Sequence, residues 1–354
     1  MLFAGCEKDP DPDDPIKIPG QSFRYALFNT VLGENGEFLI IDTDGNGNIS
    51  YAEAEVVTFM NLGDQGISDL TGIDAFINLE YLHCDWNELS ELDISKNSAL
   101  LHLGCRDNSL STLDVSSNTD LEFLDCGSNQ LSVLDVSMNE SLIYLGCSLN
   151  QIAALDVSQN ISLISLHCSY NQLSDLDVSI NSTLRSLMCS SNQLNTLDVS
   201  NNTELEYLVC GLCQLSSLDL SNNPDLSFLH CNDNQLLTLD LSNNRELINL
   251  YCSNNLLSTL NISACSKLVD LYCSHNQLSS LHLTNKLSLR HLYCGYNQIS
   301  SLNISNNINL WILDVTDMPS LGEVCVWEMP FPTEYVLVNS AGSPNVYFTS
   351  SCSK

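Results

Sequence analysis

The sequence predicts a mainly β solenoid, poor in α/β units, with a ladder of short parallel strands and capped ends. Three observations lead to this prediction. Leucine recurs every 21 residues from Leu79 to Leu310, a second leucine follows three residues later, and cysteine follows that leucine by two residues from Cys84 to Cys294. A unit of this length cannot bury its leucines alone, so neighbouring copies must stack.

The repeat has the consensus L-x-x-L-x-C-x-x-N-x-L-x-x-L-D-V-S-x-N, and its positions are numbered from the first leucine, so that Leu79 is at position 1. In an extended segment, positions 4 and 6 face the core when positions 3 and 5 face solvent. Equivalent segments are predicted to pair in parallel at about 4.8 Å. The asparagine at position 9 should turn the chain and bind neighbouring backbone groups. The D-V-S segment is predicted to extend along the opposite wall.

The cysteines of the repeat are interpreted as small, buried, reduced core residues, because eleven of the 16 occupy position 6. Cys210 and Cys213 form a C-x-x-C pair, which redox and zinc sites also use. However, Cys210 belongs to the position-6 column, and Cys213 replaces the asparagine at position 9. Cys265 and Lys286 replace the asparagine at position 19. All three replacements are expected to weaken the asparagine ladders locally.

The charge balance narrows the classes of partner. The net charge of −32 arises from 43 acidic and 11 basic residues, so the surface should repel nucleic acid and attract cations or basic partners. The sequence contains no P-loop, G-x-S-x-G, H-E-x-x-H or dinucleotide fingerprint. We therefore predict no catalytic residues and no enzymatic activity. No run of 18 apolar residues occurs, so no segment is predicted to span a membrane.

The first six residues, MLFAGC, resemble the lipobox of bacterial lipoproteins, in which the cysteine is acylated. Phe3 replaces the leucine usual in that family, and a full leader is missing. Residues 1–6 are therefore interpreted as a truncated signal remnant with Cys6 as the lipidation site; a free cysteine in a flexible tail is the alternative. Residues 7–20 are predicted to form an acidic, proline-rich tether. The protein would be anchored by lipid on the extracellular side of a bacterial outer membrane.

Residues 21–56 are predicted to form an N-terminal cap with an EF-hand-like half-motif. The stretch DTDGNGNISYAE at 42–53 matches the calcium-loop template, with Gly47 at its sixth place, but GEFLII stands where a full EF-hand has a helix. Oxygen ligands at alternating places suit Ca²⁺. A metal-free turn is the alternative, and a single loop favours a structural role. The predicted Ca²⁺ ligands are Asp42, Asp44, Asn46, Asn48, Ser50 and Glu53.

Residues 57–318 resemble the leucine-rich-repeat family. The match rests on a dozen concordant copies of L-x-x-L-x-C-x-x-N, and the 22-residue variant at 57–78, with ISDLTGI, is similar to bacterial internalin repeats. This resemblance implies a horseshoe or right-handed superhelix whose concave strand face binds another macromolecule. It also implies a non-enzymatic binding scaffold, which we expect to be a monomer at the cell surface.

Positions 3 and 5 place aromatic residues on the predicted concave face, where exposed aromatics are typical of recognition surfaces. Position 3 also carries Tyr81, His102, Phe123 and Tyr144. The alternative is that aromatics merely suit strands and stabilise one another. The partner is predicted to be a protein, for which the negative charge suits a basic surface, with a glycan or a purely structural role as alternatives. The predicted contact residues are Tyr251, Tyr272, Tyr293, His230, His291, Tyr207 and Phe228.

Residues 319–354 are predicted to cap the C-terminal end, because a solenoid exposes its core at each end. A bridge between Cys325 and Cys352 would serve that purpose. Aspartate recurs at position 15 from Asp93 to Asp240 and forms an outward row. Its mutual repulsion must be offset by hydrogen bonds or by bound cations. The hydrogen-bonded, solvated row is the favoured interpretation.

Overall fold

The computed structural model describes residues 11–352, which form two compact units, 11–162 and 163–352. Cys6 and the first residues of the predicted tether lie outside the described residues. The predicted mainly β solenoid with a parallel strand ladder is confirmed in both units. No helix among residues 11–352 is long and apolar enough to cross a bilayer.

The first unit begins with a small cap. Helix α1 (Gln21–Asn29) buries Phe23, Ala26 and Leu27, and helix α2 (Tyr51–Glu55) starts at Ser50 with a reciprocal capping box. The chain between them forms an antiparallel bridge between Leu32 and Asn61. This bridge covers part of the open edge of the first solenoid strand, which would otherwise present unpaired backbone groups.

Part of the segment that the sequence predicts as a tether packs on this cap. Ile16 and Ile18 are buried, and the Ile16 amide donates to the Ile49 carbonyl oxygen at 2.8 Å. The Ala52 amide also donates to the Pro12 carbonyl oxygen at 2.9 Å. The apolar pair at 16 and 18 gives this stretch buried contacts that acidic residues and prolines alone would not provide.

Five parallel strands form the strand wall of the first unit. Each consists of three residues, and each central residue is buried between two partly exposed neighbours, apart from the glycine that ends two of the strands. A 3₁₀ turn at Ile73–Ala75 lies between the first two strands. The strands are β1 (Phe59–Asn61), β2 (Tyr81–His83), β3 (His102–Gly104), β4 (Phe123–Asp125) and β5 (Tyr144–Gly146).

The second unit repeats this arrangement and adds a second wall near its end. Its strand wall comprises β6 (Ser165–His167), β7 (Ser186–Met188), β8 (Tyr207–Val209), β9 (Phe228–His230), β10 (Asn249–Tyr251), β11 (Asp270–Tyr272), β12 (His291–Tyr293), β14 (Ile312–Asp314) and β16 (Leu337–Asn339). The opposite wall comprises β13 (Ser301–Asn303), β15 (Glu323–Cys325) and β17 (Tyr347–Thr349).

The core is aliphatic and repeats with the sequence. The leucines at positions 1 and 4 and the cysteines at position 6 are fully buried, as Leu79, Leu82 and Cys84 illustrate. Burial raises the pKa of Cys168 and Cys231 to about 12, so these thiols remain protonated. The position-6 cysteines therefore act as small apolar core residues.

Two asparagine columns satisfy the backbone between strands. At position 9, the Asn129 side-chain amide donates to the carbonyl oxygens of Cys105 and Cys126, both at 3.0 Å, while its own oxygen accepts from the Leu110 amide at 2.9 Å. At position 19, the Asn139 amide donates to the carbonyl oxygens of Val115 and Asn118 at 3.0 and 2.8 Å. Each asparagine thus links one repeat to the preceding one.

The three replacements change the side-chain hydrogen bonds of these columns, and at Cys265 the thiol lies 3.9 Å from the Leu241 carbonyl oxygen. The Cys213 thiol takes over one amide role by donating to the Cys189 carbonyl oxygen at 3.2 Å, but a thiol is a weak donor. Nearby Asn195 and Gln214 adopt positive φ angles of 57° and 62°, outside the regular pattern of the repeat. Lys286 is fully buried, and this burial lowers the pKa of its ammonium group.

The solenoid continues past residue 318, where the sequence analysis placed the start of a cap. Ile312 pairs in parallel with Leu337, and Glu323 pairs with Tyr347 on the opposite wall. The two strands of these pairs are 25 and 24 residues apart in sequence. The 21-residue leucine period therefore does not predict the last strands of the solenoid. Residues 319–352 are an irregular continuation of the solenoid as well as its end.

A disulfide closes this region. Cys325 at the end of β15 is bonded to Cys352, 27 residues further along the chain, with Cα atoms 5.3 Å apart. Because Cys325 is buried and Cys352 follows β17, the bond ties the last strand of the opposite wall to its neighbour. Such a link restricts local opening of the exposed end.

We predict that Asn223→Ala lowers the free energy of unfolding by about 1–3 kcal/mol, because it removes two buried hydrogen bonds and leaves a small cavity, while each acceptor oxygen keeps one backbone donor. Asn223 is fully buried and donates to the oxygens of Val199 and Asn202 at 3.1 and 2.9 Å. The control is Asn222→Ala, which removes one exposed hydrogen bond to Ser200. Urea denaturation should separate the two variants; equal stabilities would contradict the role of the ladder.

Candidate functional site

The loop at 42–53 brings together three of the predicted metal ligands. One carboxylate oxygen each from Asp42, Asp44 and Glu53 lies within 4.8 Å of the other two. Two ligands on opposite sides of one Ca²⁺ are separated by about this distance, since Ca–O bonds are roughly 2.3–2.6 Å. Gly45 and Gly47 adopt φ angles of 71° and 81°, which let the loop turn around the three carboxylates. These residues fit a hard divalent cation.

The other predicted ligands stabilise the loop in different ways. The Asn46 side-chain oxygen accepts from the Asn48 amide at 2.8 Å, and the Ser50 hydroxyl donates to Glu53 at 2.9 Å. Burial would raise the pKa of Glu53, but hydrogen bonds from Ser50 and Thr43 outweigh it and lower that pKa to about 2. Glu53 is therefore fully ionised at neutral pH, which is the form that binds a cation.

On the strand wall of the second unit, the predicted aromatic residues form one chain of ring contacts. Tyr207 stacks on Phe228 at 4.2 Å, and the Phe228 ring lies 5.4 Å from Tyr251. Tyr251, Tyr272 and Tyr293 then stack at 4.6 and 4.3 Å. All are partly exposed. The row of ring contacts shifts from position 3 in β9 to position 5 in β10, because position 3 of β10 is Asn249, which has no ring.

One predicted histidine lies beside the middle of this row of rings, and the other lies at its Tyr293 end. The His230 ring is 5.9 Å from Tyr251. The Nδ1 atom of His291 is 2.5 Å from an Asp270 carboxylate oxygen, and its ring contacts Trp311 edge-to-face at 5.9 Å. His291 is thus held beside the tyrosines by Asp270 rather than stacked on them. Trp311, about half exposed, was not among the predicted contacts.

The first unit carries a second and more regular stack that the sequence analysis did not select. Phe59, Tyr81, His102, Phe123 and Tyr144 stack continuously at position 3, with ring separations of 4.0–4.4 Å and interplanar angles of at most 17°. Phe59 was missed because it precedes the 21-residue period by one extra residue. Burial lowers the pKa of His102 to about 4, and nearby His83 contributes. His102 is therefore neutral at physiological pH.

A third row follows the strands at position 8, where each residue has a left-handed backbone. Asp and Asn tolerate this conformation, but bulky side chains rarely adopt it. Several repeats nevertheless place a large side chain there, and most are more than two-fifths exposed. The bulky members are Trp86, Leu149, Tyr170, Leu212, His275 and Tyr296, with φ angles of 54–59°.

The aspartates at position 15 are held by serine. In each unit, Asp Oδ1 accepts from the backbone amide of the serine two residues later, as in Asp114–Ser116 and Asp219–Ser221, both at 2.9 Å. Hydrogen bonds from these serines lower the pKa of both aspartates. These bonds offset the repulsion within the row, as expected of a solvated, hydrogen-bonded row.

No protein-family model matches the chain, and no curated protein matches it. Among solved structures, the functional domain of InlJ from Listeria monocytogenes, which includes a cysteine ladder, has a TM-score of 0.80 at 34% identity. That match covers 84% of this chain and 65% of the InlJ domain, so the chain spans somewhat less than two thirds of its length.

Two further structures share the fold. The internalin InlF from Listeria monocytogenes has a TM-score of 0.76 at 20% identity, covering 91% of this chain and 95% of that one. The ectodomain of the Arabidopsis thaliana receptor kinase GASSHO1/SCHENGEN3 has a TM-score of 0.63 at 18% identity, covering 85% and 46%. The chain therefore has the leucine-rich-repeat fold. Its repeats are similar to those of InlJ, and its column of position-6 cysteines resembles the cysteine ladder of that domain.

We predict that His102 makes the first unit sensitive to acid. Its pKa in the folded state, about 4, lies below the unfolded value of 6.5, so its contribution to stability is complete above pH 6.5 and is lost as pH falls towards 4. In His102→Phe, the loss of stability between these pH values should be smaller by about 1–2 kcal/mol, allowing for partial exposure. Thermal melts across this range, compared with wild type, provide the test; identical pH profiles would contradict it.

Proposed function

We propose that the protein is a non-enzymatic binding scaffold that recognises a protein partner through its strand face. The observation that carries this proposal is the partly exposed chain of aromatic rings from Tyr207 to Tyr293 on a rigid strand wall. Aromatic residues held on a rigid surface supply most of the energy in many protein interfaces. Between residues 163 and 317, positions 3, 5, 7 and 8 carry four aspartates and no lysine or arginine, which favours a basic partner.

The ring geometry favours a protein over a carbohydrate. A sugar ring binds by lying on the open face of an aromatic side chain. Here the faces of Tyr251, Tyr272 and Tyr293 cover one another, so mainly their edges and hydroxyls reach solvent. Edges and hydroxyls suit the mixed polar and apolar contacts of a protein surface. The similar GASSHO1/SCHENGEN3 ectodomain was solved in complex with CASPARIAN STRIP INTEGRITY FACTOR 2.

We predict that Tyr272→Ala weakens binding of a protein partner about 5- to 30-fold, the effect of removing a central aromatic contact. The matched control is Tyr81→Ala, which also removes a tyrosine stacked on both sides, but in the first unit. Partners captured by wild type should be identified, and their affinities for each variant measured by calorimetry.

A glycan array with the same proteins tests the alternative. Equal affinities of the two variants for the partner, or binding to glycans that depends on Tyr272, would refute the proposed surface. A melting curve for each variant establishes that the fold is retained, since each substitution interrupts a stack of rings.

We further propose that the loop at 42–53 binds Ca²⁺ as a structural ion of the cap. Asp42, Asp44 and Glu53 would supply carboxylate oxygens, with Asn46, Asn48 and Ser50 as the remaining ligands. When bound, the ion would neutralise three clustered negative charges that otherwise repel one another. Since α1 also contacts the loop through Arg24, whose guanidinium donates to the Gly47 carbonyl oxygen at 2.7 Å, the ion would stabilise the cap.

We predict that Ca²⁺ at about 100 times its Kd stabilises the cap by roughly 2.7 kcal/mol, and that Glu53→Gln abolishes this response. Hydrogen exchange of residues 21–56 with Ca²⁺ or chelator is the measurement, because the cap can open locally without unfolding the solenoid. Asp93→Asn serves as the control, since it removes an exposed carboxylate from the position-15 row. Identical exchange with Ca²⁺ and chelator in wild type would exclude the site.

Finally, we propose that Cys6 is acylated and anchors the protein at a bacterial surface. The support is the MLFAGC sequence, in which small residues precede the cysteine. Metabolic labelling with a fatty acid in a bacterial host, compared with Cys6→Ser, tests this. Labelling that persists in Cys6→Ser, or that is absent in wild type, would contradict it.

A further inference from the structure

Two pairs of stacked rings lie on adjacent repeats near the end of the second unit. Tyr272 and Tyr293 stack at 4.3 Å at position 5, and His275 and Tyr296 stack at 3.9 Å at position 8. Only the buried position-6 cysteine and the position-7 residue separate the pairs along the chain, and Gly295 occupies position 7 in the second of these repeats. The pairs therefore flank a short stretch of the surface with little side-chain bulk.

The glycine is required by the next repeat. A Cβ atom at Gly295 would lie 2.7 Å from the Thr316 carbonyl oxygen and 3.2 Å from an Asp314 carboxylate oxygen. The first distance is shorter than real Cβ contacts and the second is tight, so a larger residue would displace the backbone at Thr316. The surface between Tyr293 and Tyr296 therefore carries no side chain at position 7, and the Asp314 carboxylate lies beside Gly295.

Tyr296 occupies a backbone conformation that a tyrosine rarely adopts. Its φ angle is 54°, and 43% of the residue is exposed. The ring stacks on His275, which is exposed itself, so neither ring adds to the hydrophobic core. A bulky side chain in a left-handed turn destabilises the fold relative to glycine or asparagine. Folding therefore gives no reason for a tyrosine here, and backbone strain of this kind is concentrated at functional sites.

Carboxylates surround the rings. A hydrogen bond from the Tyr296 hydroxyl to Asp317 raises the pKa of that tyrosine, with a further contribution from Asp314. Asp314 accepts from the Thr316 amide at 2.9 Å, and Asp270, two residues before Tyr272, bonds to His291. No lysine or arginine occupies positions 3, 5, 7 and 8 of these repeats. Ring faces and carboxylates together attract a cation.

We propose that the site formed by Tyr293, Tyr296, Asp314 and Asp317 binds a lysine or arginine side chain of the protein partner. This inference rests on the proposed function and specifies the partner's chemistry. The alkyl stem of the side chain would lie over Gly295 between the rings, and its charged group would face the two carboxylates. An acidic or purely apolar segment would gain nothing from this arrangement.

Binding of a fluorescent lysine–glycine peptide to the full chain tests the proposal, with a glutamate–glycine peptide as the charge-reversed probe. We expect Tyr296→Gly to weaken binding of the lysine peptide about 5- to 30-fold, as the loss of a cation–π contact does. The melting temperature should stay equal or rise, since glycine relieves the left-handed strain. The matched control is Tyr170→Gly, because Tyr170 has a φ of 56° and is 56% exposed but is followed at position 8 by Ser191.

A second pair of variants separates this site from the overall negative charge. Asp314→Asn with Asp317→Asn should weaken binding at least as much as Tyr296→Gly, whereas Asp198→Asn with Asp219→Asn removes the same charge from the position-15 row and should change it little. Equal losses in both double variants, or in Tyr170→Gly and Tyr296→Gly, would overturn the proposal. If Tyr272→Ala abolishes binding of a natural partner while Tyr296→Gly does not, the proposed function stands and this site is wrong.

Discussion

The constant register between successive repeats is the constraint on which the rest of the structure depends. In the second unit, Phe228 pairs with Asn249 and Asn249 with Asp270, each 21 residues further along the chain. Every position of the repeat therefore lies directly above the same position of the preceding repeat. Residues that are distant in sequence become neighbours at strand spacing, and the chemistry of the protein is organised in columns.

In a column, the interaction that one residue type makes is repeated between every pair of adjacent repeats. Leucines and cysteines stack into a continuous core because each repeat covers the apolar surface of its neighbour. Asparagines form ladders because one amide can donate to two repeats. Aspartates in a column repel, and the serine two residues later compensates by donating a hydrogen bond to each. A replacement inside a column, such as Cys213, removes an amide that would donate both to its own repeat and to the preceding one, as Asn129 does.

The same organisation explains the difference between the aromatic rows of the two units. Where a column holds only aromatic residues, as from Phe59 to Tyr144, the rings satisfy one another and their faces are covered. Where the column changes, as near Asp270 and Asp314, carboxylates and rings meet within a few ångströms, and a site for a charged partner group can form. Mixed columns are therefore better candidates for specific recognition than uniform ones.

The sequence by itself determined the solenoid, its inward leucines and cysteines, the serine-bonded aspartate row and the elements of the calcium-type loop, because each depends on a period or a local template. It did not reveal that Ile16 and Ile18 pack on the cap, nor that the solenoid continues to β17, because those contacts have no regular spacing. Only the tertiary structure decided which aromatic rings stack and which remain open, since Phe59 and Trp311 depart from the selected positions. The left-handed turn that makes Tyr296 costly also became visible only in the backbone, because φ is set by the packing of adjacent repeats and not by the residue itself.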